Sequence, residues 1–277
     1  MLYLVATPIG NLGDITYRAA ETLRNADEIW CEDTRHTAIL LQHLGIRKPL
    51  VSCHEHTEKS RAALLTEKLG AGLDIAYVSD AGMPGISDPG AILVSACIEA
   101  GLSYTVLPGA CAFVTAAVLS GLDTGTLCFF GFLPRTGRER RERLAKIAAC
   151  AGTAIIYESP HRVHDTLGEL ARLIGDVPAC LCRELTKLHE TAHRGTLLSL
   201  FEETADAEVR GECVLLVAVP EQSRAADAED PDTLLLRLLK DMSTRDAAAE
   251  AARLTGLNKK QLYARALALK NGTDAEA

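Results

Sequence analysis

Short apolar runs alternate with helix-patterned stretches over the first 110 residues, and this alternation constrains the fold more than any other feature. Five runs have the length and composition of strands. They cover residues 2–6, 28–31, 50–52, 74–78 and 103–107. Helical patterns lie between them, at about 15–25, 34–43, 58–69 and 91–100. Strands that alternate with helices predict a largely parallel α/β sheet.

The rest of the chain predicts a second α/β domain and a helical appendage. Further strand-like runs cover residues 126–132, 153–157, 179–182 and 214–219. An acidic, alanine-rich stretch bordered by prolines then predicts a linker. Three helical patterns follow, and Gly256-Leu257-Asn258 separates the last two with helix-turn-helix spacing. The predicted domains are 1–109 and 110–220 (both α/β), 221–232 (linker) and 233–270 (helix-turn-helix-like).

Composition excludes several classes of protein. A net charge of −8 over 277 residues argues against a protein that coats nucleic acid nonspecifically, although a local basic face remains compatible with it. No apolar run approaches the ~20 residues of a membrane-spanning helix, and no basic segment precedes the first strand. We therefore expect a cytoplasmic protein with no membrane partner.

The nine cysteines are odd in number and form no CxxC pair, which favours reduced thiols over disulfides. Cys180 and Cys182, or His54 and His56, could be imagined as metal ligands. Neither pair has a second pair at zinc-site spacing, so we expect no metal site.

A loop rich in glycine and proline, residues 79–90, follows the fourth strand. Ligands of open parallel sheets bind beyond the carboxyl ends of strands, so this loop predicts a small-molecule site. A rigid turn without a ligand would need the same glycines and prolines. Asp80 favours a site, because a carboxylate directly after a strand suits ligand hydroxyl or amine groups. Asp88 is predicted to cap a helix that begins at Pro89.

Polar groups also follow the second strand, where Glu32, Asp33 and Arg35 could supply a base or a substrate anchor. The alternative is that Asp33 or Thr34 caps the next helix and Arg35 pairs with a carboxylate at the surface. After the first strand, Gly10 and Gly13 lack the full GxGxxG pattern, and no P-loop motif occurs anywhere. A nicotinamide cofactor and a P-loop nucleotide site are therefore not expected.

Two basic segments stand out in this acidic chain. Residues 135–146 carry six positive and two negative charges, and residues 258–270 carry four positive charges and no negative one. Each could be a solvated helix face or a docking surface for a polyanion. For the second segment, dimerisation or bracing is a further alternative.

Several ordered motifs together resemble the tetrapyrrole-methylase-like enzymes, and within them the small-subunit ribosomal RNA 2′-O-ribose methyltransferase I type. The resemblance covers nearly the whole chain. Its motifs are residues 4–14, Glu32-Asp33-Thr34-Arg35, residues 79–90, Leu107-Pro108-Gly109, Gly131-Phe132-Leu133-Pro134, residues 158–162 and residues 183–187. Relatives that act on tetrapyrroles tend to carry Gly-Asp-Pro where this chain has Ser79-Asp80-Ala81, a departure that fits the RNA branch.

The resemblance implies a homodimer of two-domain subunits that bind S-adenosylmethionine in the cleft between the domains. It implies methylation of a cytidine ribose in the decoding region of small-subunit ribosomal RNA, as the 30S subunit or a precursor. The cofactor contacts carried over from the family's motifs are Pro8, Asp80, Met83, Ala110, Cys111, Glu158, Leu185 and Cys213.

Methyl transfer to a ribose 2′-oxygen depends mainly on positioning, and a general base would help because a neutral hydroxyl is a poor nucleophile. Base candidates are Glu32, Asp33, Glu184 and Lys187. We hypothesise that Asp33 or Glu32 takes the proton while Arg35 and Arg162 hold phosphates. The candidate RNA-binding residues are Arg135, Arg138, Arg162, Lys259 and Lys260.

Two other functions remain open from the sequence alone. A tetrapyrrole-precursor C-methyltransferase would share the fold and the cofactor, but a small macrocycle requires neither the basic segment nor the helical appendage. A non-catalytic nucleic-acid-binding module built on the C-terminal helices would leave the 79–90 loop unexplained.

Overall fold

The computed structural model describes residues 1–205, 208–221, 231–240, 242–255 and 258–273. The chain divides into two compact units, Met1–Glu221 and Gln222–Ala277. The described residues do not include 222–230, which are most of the predicted linker. They also do not include Gly256 and Leu257, which belong to the predicted helix-turn-helix turn. The predicted domain boundaries stay predictions.

The first sheet is fully parallel, as the alternating pattern predicted, with the order β3-β2-β4-β1-β5. Its strands are β1 (Leu2–Val5), β2 (Glu28–Cys31), β3 (Leu50–Ser52), β4 (Ile75–Val78) and β5 (Tyr104–Leu107). Four helices cover it: α1 (Tyr17–Asn25), α2 (Thr34–His43), α3 (Glu55–Gly70) and α4 (Ala91–Glu99). The first two pack on one face and the last two on the other. Strands covered on both faces need continuous apolar runs, and β4 is buried throughout.

The second sheet is mixed, with the order β6-β7-β10-β8-β9, and only β6 and β7 pair in parallel. Its strands are β6 (Leu127–Phe132), β7 (Gly152–Glu158), β8 (Pro178–Arg183), β9 (Thr191–Thr196) and β10 (Cys213–Val219). Helices α6 (Gly137–Ala148), α7 (Val163–Ile174) and α8 (Leu197–Glu203) pack on one face. The sequence did not predict β9 and α8, because the polar edge strand β9 has no apolar alternation.

Helix α5 (Ala112–Ser120) follows the last strand of the first sheet but packs on the second. Its Ala116 and Ala117 share a buried cluster with Ile155 of β7. Ile9, from the loop after β1, and Leu185, from the loop after β8, lie in the same cluster. Loops from both sheets are therefore fixed against each other by apolar packing.

The described residues of the C-terminal unit form three helices: α9 (Pro231–Leu238), α10 (Thr244–Thr255) and α11 (Lys259–Thr273). They agree with the three predicted helical patterns to within a few residues, except that α9 ends before the predicted position. Their apolar faces meet in one cluster of Leu234, Leu235, Ala248, Ala251, Leu262 and Ala266. In the described part of the chain, no helix is both long and apolar enough to cross a membrane.

Helix α4 begins differently from the prediction, because Asp88 does not cap it. The N-cap is Gly90, at φ 136°, a conformation that favours glycine. The backbone donors at the start of the helix are instead satisfied by Glu58 of α3, whose Oε1 accepts hydrogen bonds from the N–H groups of Gly90 (2.8 Å), Ile92 (3.0 Å) and Leu93 (3.3 Å). A buried carboxylate at a helix N-terminus also matches the helix dipole. Glu58 thus anchors the end of the 79–90 loop from another helix.

We predict that Glu58→Ala lowers the free energy of unfolding by about 2–3 kcal/mol, because buried N–H groups lose their acceptor. Urea unfolding followed by fluorescence of the single, buried Trp30 would measure the change. Glu67→Ala, at an exposed position of the same helix, is the matched control. Equal unfolding midpoints for the two variants would contradict the capping role.

Candidate functional site

The loops after β1, β2 and β4 meet at the carboxyl edge of the first sheet. Thr7 and Gly82 exchange two backbone hydrogen bonds, of 2.9 and 3.0 Å, which join the loop after β1 to the 79–90 loop. The Asp80 carboxylate accepts a hydrogen bond from the backbone N–H of Asp33 at 3.0 Å. The structure therefore brings together three of the segments in which the sequence placed candidate site residues.

The loop after β8 approaches this edge from the second sheet. Glu184 (φ 51°) and Thr186 (φ 64°) both take left-handed conformations that residues other than glycine seldom adopt. The loop lies so close to Gly10 that a Cβ there would be 2.5 Å from Lys187 Cγ and 2.9 Å from the Leu185 carbonyl oxygen. Glycine at position 10 is thus required by the close approach of two loops.

A cavity of about 290 Å³ opens between the loops of the two sheets. The first sheet and its following helix contribute Ile9, Ala81, Gly82, Met83, Ile86, Ser87, Asp88, Cys111 and Ala112. The second sheet contributes Phe132, Tyr157, Glu158, Ser159, Pro160, Gly211, Glu212, Cys213 and Val214. The lining is largely apolar with a few polar groups, as is usual for small-molecule sites.

Four of the eight predicted cofactor contacts line this cavity, namely Met83, Cys111, Glu158 and Cys213. Pro8 and Asp80 instead line a separate space of about 30 Å³ beside α2. Ala110 and Leu185 line neither cavity but pack in the apolar cluster beneath the first one. The predicted set therefore divides into four residues that line the larger cavity and four that do not.

The carboxylate of Glu158 is buried and fully occupied by protein groups. One oxygen accepts a hydrogen bond from the Ser159 N–H (2.8 Å) and pairs with Arg162. The other accepts one from the Thr166 hydroxyl (2.8 Å) and lies 3.8 Å from an Arg140 nitrogen. A buried carboxylate is tolerated only with such partners. Glu158 therefore shapes the cavity wall, and its charge is already neutralised within the protein.

An aromatic group forms the second-sheet side of the cavity. A β-bulge interrupts the pairing of β6 with β7 between Phe129 and Gly131. Residues three apart on a regular strand point to opposite faces, but the bulge puts Phe129 and Phe132 against the same ring, Tyr157, at 5.0 and 5.4 Å. Phe132 remains 60% exposed at the cavity mouth. The sequence analysis missed this residue, because strand alternation does not reveal a bulge.

Asp33 and Arg35 form a closed pair at the start of α2. The Asp33 carboxylate accepts hydrogen bonds from the Arg35 backbone (2.8 Å) and guanidinium (2.6 and 3.1 Å). These bonds hold the pKa of the Asp33 carboxyl well below its usual range. A carboxylate with so low a pKa is a weak base. The geometry therefore favours the capping alternative for Asp33, with Arg35 held in a fixed position.

Lys187 is held between two carboxylates, Glu184 and Glu212, each 3.0 Å from its Nζ. Burial opposes its charge, but these hydrogen bonds outweigh that effect and raise the pKa of Lys187. The hydrogen bond from the Glu212 backbone, together with Lys187, lowers the pKa of Glu184. Neither Lys187 nor Glu184 is suited to accept a proton at neutral pH.

The candidate RNA-binding residues differ in their surroundings. Arg138 pairs with Glu142 on its own helix at 2.5 Å, and Arg162 is committed to Glu158 and to the Leu133 carbonyl. Arg135 is exposed. In the C-terminal unit, Lys259 and Lys260 are exposed in the first turn of α11, which the Asn258 side chain caps.

Asp88 lines the cavity, a placement that the sequence analysis did not foresee because it assigned Asp88 to a helix cap. Burial raises the pKa of its carboxyl, the nearby charge of Asp80 adds to this, and a hydrogen bond with Ser79 opposes it. Of the acidic side chains that line the cavity, Glu158 is fully paired and Glu212 is bound to Lys187. Asp88 is thus the carboxylate that lacks a basic partner among the described residues.

Comparison with protein families matches the two parts of the chain separately. Residues 1–200 match the family model described as Tetrapyrrole (Corrin/Porphyrin) Methylases. Residues 225–270 match the model described as RsmI C-terminal HTH domain.

Relatives of known name align over almost the whole length. The chain is 44% identical to a ribosomal RNA small subunit methyltransferase I of Haemophilus influenzae over 268 residues, which are 95% of each chain. It is also 44% identical to the protein of that name in Escherichia coli O157:H7, over 96% of this chain and 94% of the other.

Solved structures with the same fold are more distant in sequence. The uroporphyrin III C-methyltransferase of Thermus thermophilus aligns with a TM-score of 0.58 at 19% identity, over 78% of this chain and 96% of that one. A cobalt precorrin-4 methyltransferase aligns with a TM-score of 0.58 at 18% identity, over 78% and 93% of the two chains. At such identities the likeness concerns the fold alone.

We predict that Asp88→Asn raises the thermal unfolding midpoint at pH 7 and that the gain disappears near pH 3. A carboxyl whose pKa is raised in the folded state binds more protons there than in the unfolded chain, so its contribution to stability falls as pH rises through the folded pKa. At about pH 3 the carboxyl is largely protonated in both states. Calorimetry at both pH values, with the exposed Asp14→Asn as control, would measure this. A gain that is equal at both pH values would contradict the assignment.

Proposed function

Because the chain belongs to the tetrapyrrole methylase family and, within it, to the ribosomal RNA small subunit methyltransferase I group, we propose that it methylates small-subunit ribosomal RNA. The proposed reaction transfers a methyl group from S-adenosylmethionine to the ribose 2′-hydroxyl of a cytidine in the decoding region. The proposed substrate is the 30S subunit or a precursor of it, in the cytoplasm. The observation that carries this proposal is the cavity between the two sheets, together with the relatives aligned over the whole chain.

The chemistry of the cavity lining fits S-adenosylmethionine. This molecule has an apolar and aromatic part and carries positive charge on its sulfonium and its ammonium group. Met83, Ile86 and Tyr157 offer apolar surface, and Gly82 lets the backbone come close. Asp88 offers a negative charge that the described residues leave without a basic partner.

We propose that Met83, Cys111, Cys213 and Asp88 hold the methyl donor directly. In this proposal Pro8, Asp80, Ala110 and Leu185 fix the backbone behind the lining, and Glu158 acts through its position in the wall. Burial raises the pKa of the Cys213 thiol to about 11 and also raises that of Cys111. Both thiols stay protonated at neutral pH, so they do not compete with the RNA for the methyl group.

The bound donor supplies an activated methyl group, and the protein's part is to position the ribose oxygen and remove its proton. Among the sequence candidates, the pKa values of Asp33 and Glu184 are lowered and that of Lys187 is raised. None of these three groups is therefore suited to accept a proton at neutral pH. We therefore propose the remaining sequence candidate, Glu32, which directly follows β2, as the base. Asp33 then serves to position Arg35 toward a phosphate.

The tetrapyrrole-precursor alternative receives less support. The named relatives at 44% identity are ribosomal RNA methyltransferases, whereas the tetrapyrrole enzymes share only the fold at 18–19% identity. The C-terminal match also belongs to the RNA branch. In our proposal Lys259 and Lys260, in the first turn of α11, contact RNA phosphates, which helix N-termini attract.

We also propose that two copies associate as a homodimer. The edge strand β5 exposes Tyr104 (38%) and Val106 (47%), and helix α5 exposes Val114 (47%) and Val118 (74%). Tyr104 and Val106 are two residues apart and share a face of the strand, and Val114 and Val118 lie one helical turn apart; exposed apolar side chains of this kind are typical of association surfaces. Light scattering on the purified protein would give its mass in solution.

The first experiment is methyl transfer from labelled S-adenosylmethionine to purified small ribosomal subunits, followed by nuclease digestion and mass spectrometry of the nucleosides. We expect 2′-O-methylcytidine from the wild-type protein. Cys111→Phe, which fills part of the cavity, should weaken donor binding at least about tenfold, equivalent to 1.4 kcal/mol. Ile98→Phe, at an exposed site away from the cavity, is the control. Donor binding without transfer to RNA would favour the tetrapyrrole alternative.

We predict that Glu32→Gln lowers single-turnover methyl transfer by at least about 100-fold, since a general base contributes factors of that size. Asp33→Asn should leave the rate within about tenfold and raise KM for RNA through the loss of Arg35 positioning. Donor affinity, measured by calorimetry, should stay unchanged in both. The opposite order of the two rates would move the base to Asp33.

A further inference from the structure

A groove between α6 and α7 shares Arg140 and Arg162 with the ion-pair network of Glu158. Its volume is about 550 Å³, and its lining includes five arginines and two acidic residues. Arg140 is buried and bound to Glu169 at 2.6 Å, and Arg162 is bound to Glu158. These four groups neutralise one another and give the groove a rigid floor.

Three lining arginines remain outside that network. Arg135, Arg141 and Arg172 are exposed and have no ion-pair partner among the described residues. The acidic lining residues are Asp165 and Glu169, and Glu169 is paired with Arg140. Three positive charges against one negative charge give a local positive field on a chain whose net charge is −8.

The groove adjoins the cavity through two short segments of chain. Phe132 lines the cavity and Arg135 lines the groove, and three residues of extended chain span at most about 11 Å. Likewise Pro160 lines the cavity and Arg162 lines the groove. The Arg162 guanidinium ties the two segments by donating to the Leu133 carbonyl at 3.1 Å.

An exposed aromatic ring beside unpaired arginines matches the chemistry of a single nucleic acid strand. Bases stack on aromatic side chains, and arginines bind the phosphates that connect them. Phe132 supplies the ring at the cavity mouth, and its exposed face is directed there by the bulge in β6. An acidic protein partner would use the arginines but would leave the ring without a role.

We propose that the α6–α7 groove binds the phosphate backbone of the RNA strand whose target nucleoside occupies the cavity mouth against Phe132. This inference rests on the proposed function. It keeps Arg135 from the sequence prediction and replaces Arg138 and Arg162, which are held by carboxylates, with Arg141 and Arg172. Along the bound RNA, the base stacked on Phe132 is then followed, after a short stretch of backbone, by the phosphates that the groove arginines hold.

The test compares two triple variants of the full chain with equal changes of charge. The groove variant is Arg135→Gln, Arg141→Gln, Arg172→Gln. The control is Arg18→Gln, Arg24→Gln, Arg47→Gln, which removes three exposed arginines from the first sheet's surroundings. Binding of protein-free small-subunit ribosomal RNA is measured over a range of KCl concentrations, and binding of S-adenosylmethionine is measured by calorimetry.

We expect the groove variant to bind the RNA at least tenfold more weakly than wild type at moderate salt. The slope of log affinity against log salt should fall by about 2, since each single-strand phosphate contact contributes about 0.7. The control should keep the wild-type slope, and both variants should bind S-adenosylmethionine normally. Phe132→Leu should weaken RNA binding without changing the slope, because stacking releases no counterions.

Equal affinity and slope for wild type and groove variant would overturn the proposal, as would an equal loss in the control. A loss confined to assembled subunits, with protein-free RNA unaffected, would also overturn it in favour of a protein partner. Failure of the proposed function differs from both. In that case the wild-type protein binds RNA with the expected salt slope but transfers no methyl group to it.

Discussion

The cavity and the α6–α7 groove of the first unit both depend on the interactions of one buried carboxylate, that of Glu158. It ends β7 with its charge out of water, and a charge so placed requires partners nearby. Arg162 and Arg140 meet this need from either side, and each also holds a backbone carbonyl, of Leu133 and Pro134 respectively. One network of ion pairs thus fixes the back of the cavity wall and the floor of the α6–α7 groove.

Close approach between loops is the second constraint. The loop after β8 lies against the loop after β1, which contributes Ile9 to the cavity lining, and Gly10 permits that distance. Glu184 and Thr186 adopt left-handed backbone conformations that are sparsely populated, so surrounding contacts must hold them in place. Glu184 bonds to the Glu212 backbone and to Lys187, so the same ion cluster that keeps the lysine charged also retains the strained loop.

The sequence predicted the first sheet well because its strands are buried on both faces and form apolar runs between clear helical patterns. It also located the 79–90 loop, whose place after β4 follows from parallel topology. Contacts between elements that are distant in the chain could not be predicted from local sequence patterns. The capping of α4 by Glu58 joins residues 32 to 35 positions apart in the chain, so local propensity assigned the cap to Asp88 instead. Likewise, the many charges of residues 135–146 predicted an exposed helix face, whereas Arg140 is buried.

The bulge in β6 makes the cavity mouth sensitive to deletion of a single residue from this strand. Side chains of a strand alternate between its faces, so the extra residue at the bulge, Phe130, decides which way Phe132 points. Removing one residue there would turn the cavity-mouth ring toward the opposite face while leaving every amino-acid type in place. The site is therefore encoded partly by the number of residues in a strand, and single-residue deletions in β6 are more damaging than conservative substitutions at the same positions.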